Sequence, residues 1–208
     1  MVFSKQVPLF ALQRRVLFPG IPFHCALAHP DDVHMIRQII RGRRWLAVLP
    51  VYDPEDPDPE REDLAGVVCL ARVRRVHWMP DGGLLMDLLG IARATVQAIV
   101  PRGKHYHCVQ FEVLRPNLQM ESPQGWLRQA RQDISDLRCH AGQAADPYPA
   151  GLWLDLLCHF LSIPFEAKLQ LMCEKCDQRR CEILANYGRY WKTERLMRQY
   201  LPKLFRSN

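Results

Sequence analysis

The stretch Val7-Pro8-Leu9-Phe10-Ala11-Leu12-Gln13-Arg14-Arg15-Val16-Leu17-Phe18-Pro19-Gly20-Ile21-Pro22 decides how the rest of the chain is to be read. Val7 to Leu12 and Val16 to Phe18 are short runs of β-type residues, and Pro19-Gly20 followed by Pro22 punctuates them as a turn. Proline fixes φ and removes a backbone donor, while glycine accepts the conformations a reversal needs. Together they set the direction of the chain between paired strands.

Outward from that turn the first half reads as strands with one inserted helix. Pro30-Asp31-Asp32 opens the helix, because acidic residues suit a first turn, and Val33, Ile36, Ile39 and Ile40 follow at helical spacing up to Gly42. Trp45 to Tyr52 is an apolar run short enough for a buried strand. The acidic, proline-rich Asp53 to Asp63 is expected to be a mobile loop. Val67 to Val76 is a strand, Pro80-Asp81-Gly82-Gly83 a hairpin turn, and Leu84 to Leu88 the returning strand. Two more strands are expected over Arg93 to Val100 and around His107 to Val113. After Pro116 the pattern becomes helical: Trp126 to Arg138, the stripe Leu152, Trp153, Leu156, Leu157, Phe160 and Leu161, then Phe165 to Met172, and a last helix from Asp177, a fitting N-cap, towards Tyr200. The fold class is therefore α+β, with a boundary expected between a β-rich subdomain, 1–116, and a helical one, 117–208.

Composition limits the function. With 48% hydrophobic and 24% charged residues over 208, the chain can bury a core and is not disordered. Its longer apolar stretches, Trp45 to Val51 and Val67 to Ala71, fall far short of the roughly 20 residues that span a bilayer. The start, MVFSKQVPLFALQRR, lacks the form of a secretory signal. No membrane partner is expected, and the location expected is the cytoplasm. Eight scattered cysteines without an export signal read as free thiols rather than a disulfide framework. Of 28 basic and 22 acidic residues, seven acidic ones and Arg61 fall between Asp53 and Asp63, leaving 27 basic against 15 acidic elsewhere. Such an excess suits a solvated surface, an acidic partner or nucleic acid.

The opening residues Val7-Pro8-Leu9-Phe10, Leu12, Val16-Leu17-Phe18-Pro19-Gly20 and Pro22 resemble the signature that begins the N-terminal, substrate-binding domain of the Lon protease family. Gly66 to Val73, the Asp81-Gly82 hairpin, the Gly90-x-x-Arg93 element and the strand from Tyr106 to Leu114 resemble further family elements in the same order. Pro164, Lys168, Leu169, Leu171, Arg180 and Leu184 resemble its helical part. Two places depart from the pattern: His29-Pro30-Asp31-Asp32 stands where the family commonly has Glu-Pro-Arg-Tyr, and Ala94 replaces the usual aromatic after Arg93. The resemblance implies a PUA-like β pseudo-barrel with one inserted helix, followed by a C-terminal helical bundle. It also implies a binding module for other proteins or unfolded polypeptides. Full-length Lon proteins add an ATPase and a Ser-Lys protease module. Here the P-loop pattern is missing, since Gly103-Lys104 is followed by His105.

No catalytic residue and no cofactor are expected. None of the five serines lies in Gly-x-Ser-x-Gly. Leu17, Phe18 and Ile21 are the expected substrate-contact residues, as an apolar turn at the surface; the alternative is that all three are core. Cys173, Cys176 and Cys181 contain a Cys-x-x-Cys that suits a metal or a redox dithiol, but no second Cys-x-x-Cys or His pair lies nearby, and Cys158 or His159 would have to be brought in by folding. Buried or half-buried free thiols at a helix-helix corner are the expected state. His105 and His107 alternate on a strand without a carboxylate or thiol at ligand spacing. The alternative function is RNA binding by the basic, aromatic tail, in which Arg189, Tyr190, Trp191, Lys192, Arg195 and Arg198 interleave cations with stacking rings.

Overall fold

The computed structural model describes residues 6–52, 66–102, 105–115, 152–161 and 163–188. In order these form β1 (Gln6–Gln13), β2 (Pro22–Leu27), α1 (Pro30–Ile39), β3 (Trp45–Val51), β4 (Val67–Trp78), β5 (Leu84–Arg102), β6 (Tyr106–Val113), α2 (Leu152–Phe160), α3 (Phe165–Cys173) and α4 (Asp177–Gly188). The chain is α+β and divides into two compact units: Met1–Arg115 with Phe165–Cys173, and Pro116–Pro164 with Glu174–Asn208. The expected boundary at 116 therefore leaves out one segment, because α3 packs against β4 in the first unit.

Six strands lie in the order β2-β5-β4-β3-β1-β6, and a further β5–β6 pairing closes β1, β3, β4, β5 and β6 into a ring. All pairs are antiparallel except β1 with β3. A parallel pair needs a long crossover, which the β2 and α1 segment supplies. β5 serves both sides of the ring. Residues up to Leu89 pair with β2, and Ala94 onward pair with β6. The sequence suggested two separate strands here. Register shifts against β4 near Leu70/Ala71 and against β6 near Val96/Ala98 let one long strand bend instead of ending.

Every strand of the ring contributes to one apolar cluster. Ala47, Val68, Leu70, Ala94 and Val109 are buried in it, with Val7, Leu9, Trp45, Leu49, Val96 and Phe111 packed against them. Ala94, where the family pattern has an aromatic, is thus a small residue in the ring interior.

The signature turn lies against β5. Gly20 has a left-handed φ of 78°, its N–H donates to the Gly90 carbonyl at 2.9 Å, and the Gly90 N–H donates to the Ile21 carbonyl at 3.0 Å. A Cβ on Gly90 would run into the Phe18 carbonyl, so the approach requires glycine. Val16 to Phe18 is not the strand expected. Arg14, at φ 47°, turns the chain out of β1, and Val16, Leu17 and Phe18 are buried in succession instead of alternating. β2 follows at Pro22, where the sequence showed only punctuation.

Arg93, three residues beyond Gly90, is buried, and its Nη1 donates to the Met172 carbonyl in the last turn of α3 at 3.2 Å. A cation at a helix C-terminus meets both the unpaired carbonyls and the helix dipole there. In the second unit, buried Arg180 of α4 bridges Asp155 of α2 at 2.5 Å and Asp177 at 3.2 Å. Asp177 is not the N-cap. The Arg180 N–H donates to the Cys176 carbonyl, which places Cys176 at that position and turns the Asp177 carboxylate to Arg180.

Candidate functional site

β1 changes partners along its length. Leu9 to Gln13 pair with β3, whereas Gln6 to Pro8 pair with β6. Before Leu9, therefore, β1 and β3 are not laddered together. The opening between them is a cavity of about 790 Å³, roofed by the end of α1. Val7, Trp45, Leu70 and Phe111 line its floor and also belong to the ring's interior cluster, so the cavity is one mouth of the ring. Pockets in barrel mouths, mostly apolar with a few placed polar groups, are common ligand sites.

The rim is basic. Beyond α1 the N–H groups of Gly42 and Arg44 both donate to the Ile39 carbonyl, at 3.1 and 3.2 Å, and Arg44 takes a left-handed φ of 57°. This tight ending carries Arg43 and Arg44 to the mouth. Arg102, at the end of β5, reaches it as well, and Glu112 is the only acidic side chain among the described lining residues. Arg44 spends one donor on the Arg74 carbonyl at 3.4 Å. Burial pushes the neighbouring Cys108 thiol above its usual pKa, while the charge of Arg102 and a hydrogen bond from it act the other way.

One wall is held by a polar chain. The Tyr106 hydroxyl donates to Gln38 Oε1 at 2.7 Å, and Gln38 Nε2 lies 2.7 Å from His34 Nε2. The His34 ring stands 4.7 Å from that of His105, whose Nδ1 is 2.7 Å from Asp31 Oδ1. The carboxylate that the sequence did not offer His105 comes from α1. The departing segment His29-Pro30-Asp31-Asp32 also starts that helix, with Pro30 at its first position and His29 Nδ1 accepting from the Asp31 N–H at 3.3 Å.

None of the described residues singled out from sequence as candidate site residues lines this pocket. Leu17, Phe18 and Ile21 are 2%, 0% and 2% exposed, so they are core. The two Gly20–Gly90 region hydrogen bonds pin the turn down and point its apolar side chains inward, which removes the exposure that suggested contact. Cys173 is half-buried, Cys176 exposed and Cys181 buried. Burial is the main reason that the Cys173 thiol is raised above its usual pKa and that of Cys181 is pushed up to about 11, which disfavours the thiolate that metal or redox work needs. No three His, Cys, Asp or Glu side chains among the described residues are grouped to hold a metal. Arg189, Tyr190, Trp191, Lys192, Arg195 and Arg198 lie outside the described residues. The mouth pocket was missed because its parts are distant in sequence; Arg43-Arg44-Trp45 was the one local signal.

Comparison with known proteins agrees with this architecture. No helix among the described residues is long and apolar enough to cross a membrane. The chain is 29% identical to a Lon protease of Flavobacterium johnsoniae over 94 residues, 45% of this chain and 12% of that protein. It is 23% identical to a Lon protease of Trichlorobacter lovleyi over 136 residues, 63% of this chain and 16% of that one. The match thus spans a small part of these proteases. Among solved structures, a Lon N-terminal domain protein from Xanthomonas campestris aligns with a TM-score of 0.65 at 19% identity, covering 88% of this chain and 98% of that one. The N-terminal domain of a Mycobacterium avium complex Lon protease aligns at 0.58 and 15% identity, with the same coverage. The pattern of the family described as the ATP-dependent protease La (LON) substrate-binding domain matches residues 6–187. With the pinned turn, Gly90 and Arg93 all lying inside that match, the chain belongs to the Lon substrate-binding domain family.

Proposed function

We propose that this chain is a non-enzymatic recognition module that holds exposed segments of other proteins, in the cytoplasm, for quality control or regulated proteolysis. The observation that carries the reading is the mouth pocket: an apolar floor of about 790 Å³ space at the end of a ring, in a member of a substrate-binding family. The ring with α1 is read as a PUA-like pseudo-barrel, and α2 and α4 as parts of a helical bundle.

Burying one Leu or Phe side chain contributes about 1.5–3 kcal/mol, whereas micromolar affinity needs about 8 kcal/mol. A single pocket therefore binds weakly, and useful retention requires backbone or charged contacts in addition. Weak, reversible capture suits a module that samples many unfolded chains. The test is retention of a reduced, permanently unfolded polypeptide on the immobilised full chain, beside the same polypeptide in its folded form. Selective retention of the unfolded form is expected. Equal or absent retention of both overturns the reading.

A further inference from the structure

Resting on that reading, we propose that the mouth pocket selects a large apolar side chain placed next to a carboxylate, and that Arg44 and Arg102 hold the carboxylate. Val7, Trp45, Leu70 and Phe111 form the floor on which the apolar group packs. Arg44 and Arg102 line the mouth from different elements, the turn after α1 and the end of β5. Each has five N–H donors in a planar fork matched to a carboxylate. Arg44's bond to the Arg74 carbonyl fixes the side chain and leaves other donors unspent.

Charge decides the class of ligand. Arg44 and Arg102 stand against Glu112, the only acidic residue among the described lining residues, so the described lining is net positive. A segment with Lys or Arg beside its apolar anchor meets like charge and is rejected. A neutral segment gains no charge-assisted bond from Arg44 or Arg102. A carboxylate beside the anchor gains charge-assisted hydrogen bonds in a partly dehydrated cleft, which is worth about tenfold or more in affinity. The same chemistry is present in two places on a protein: the chain's C-terminal carboxylate and an Asp or Glu side chain.

The experiment measures binding of four fluorescein-labelled Gly/Ser peptides to the full chain by anisotropy. One ends in Leu-Phe with a free carboxylate, one in Leu-Phe-amide, one in Leu-Phe-Asp-Gly-amide, and one in Leu-Phe-Lys-Gly-amide. Binding of either carboxylate peptide about tenfold tighter than the neutral amide, with the Lys peptide weakest, supports the proposal. Preference for the first over the third identifies the C-terminus as the source; the reverse identifies the acidic side chain. Arg44→Gln and Arg102→Gln bring the carboxylate-to-amide ratio towards one, Arg102→Glu moves preference towards the Lys peptide, and Arg75→Gln, on β4 outside the pocket, keeps the ratio. Thermal midpoints of each variant confirm that it is folded. Equal binding of all four peptides overturns the proposal, as does a ratio that survives both Gln substitutions. If no peptide binds but the unfolded polypeptide is still retained, the pocket assignment fails while the broader function stands; if neither is held, both fail.

Discussion

A single missing carbon at Gly90 allows the signature turn to rest on β5. A Cβ there meets the Phe18 carbonyl, whereas at Gly82, in the β4–β5 hairpin with φ 88°, it meets nothing within 4 Å. The two glycines therefore separate steric clash from backbone strain. Gly82→Ala is expected to cost about 1 kcal/mol, the strain of a left-handed residue alone. Gly90→Ala is expected to cost about 3 kcal/mol, because the turn must lift or β5 must shift. Urea midpoints of the two variants check the difference. The thiols give a second expectation at this scale. Burial is the main cause that pushes Cys25 up to about 11 from 9.0, aided by Asp32 and Asp87 against Arg15, and that takes Cys181 to a similar value. The folded state keeps these protons when the unfolded chain has lost them. Their stability contribution is therefore whole below pH 9 and is lost as pH rises towards 11. Urea unfolding at pH 8.5 and 10.5 should show that loss, and it should be smaller in Cys25→Ala and Cys181→Ala than in the parent.

Elements were legible where pattern alone fixes them. α1 follows from its proline, acidic first turn and apolar spacing; the β4–β5 hairpin follows from Asp81-Gly82, where the Asp81 side chain also accepts from the Gly83 N–H at 3.0 Å. Where packing chooses the state, the pattern misled. Val16 to Phe18 has strand-type residues but is buried on successive positions, so it makes no ladder. β5 contains Gly90 and a change in hydrophobic phase that look like an end, yet it bends and continues because strands on both flanks hold it. The site was less legible than the fold. Its floor comes from β1, β3, β4 and β6, and only closure of the ring brings Val7, Trp45, Leu70 and Phe111 together. α3 provides the test at this scale. Its last turn is held by Arg93, so Arg93→Ala should speed hydrogen exchange in the 165–173 segment well beyond any change in β2, read by mass spectrometry of peptic fragments. Equal acceleration in both would mean that the helix is not anchored there.

For the whole molecule, the chain order and the compact units disagree. α3 lies between helices of the second unit in sequence but belongs to the first. A fragment ending at Arg115 lacks it and leaves Arg93 without the Met172 carbonyl. Such a fragment should melt at a lower temperature than the full chain and bind more of a hydrophobic dye, which calorimetry and dye fluorescence would read; a fragment as stable as the full chain would show that α3 adds nothing to the ring. By itself the sequence determined the class of fold, the placement of α1 and most strands, and the family, because turn residues, helix starts and apolar periodicity act over a few neighbouring positions. Tertiary structure alone decided that Leu17, Phe18 and Ile21 are core, that α3 packs against β4, and that Arg102 shares the mouth of a ring with the distant Arg43-Arg44 pair. Burial and charge proximity depend on which distant segments pack together: the signature turn on Gly90, α3 on β4, and β5 on β6, none of which is fixed by neighbours in the sequence.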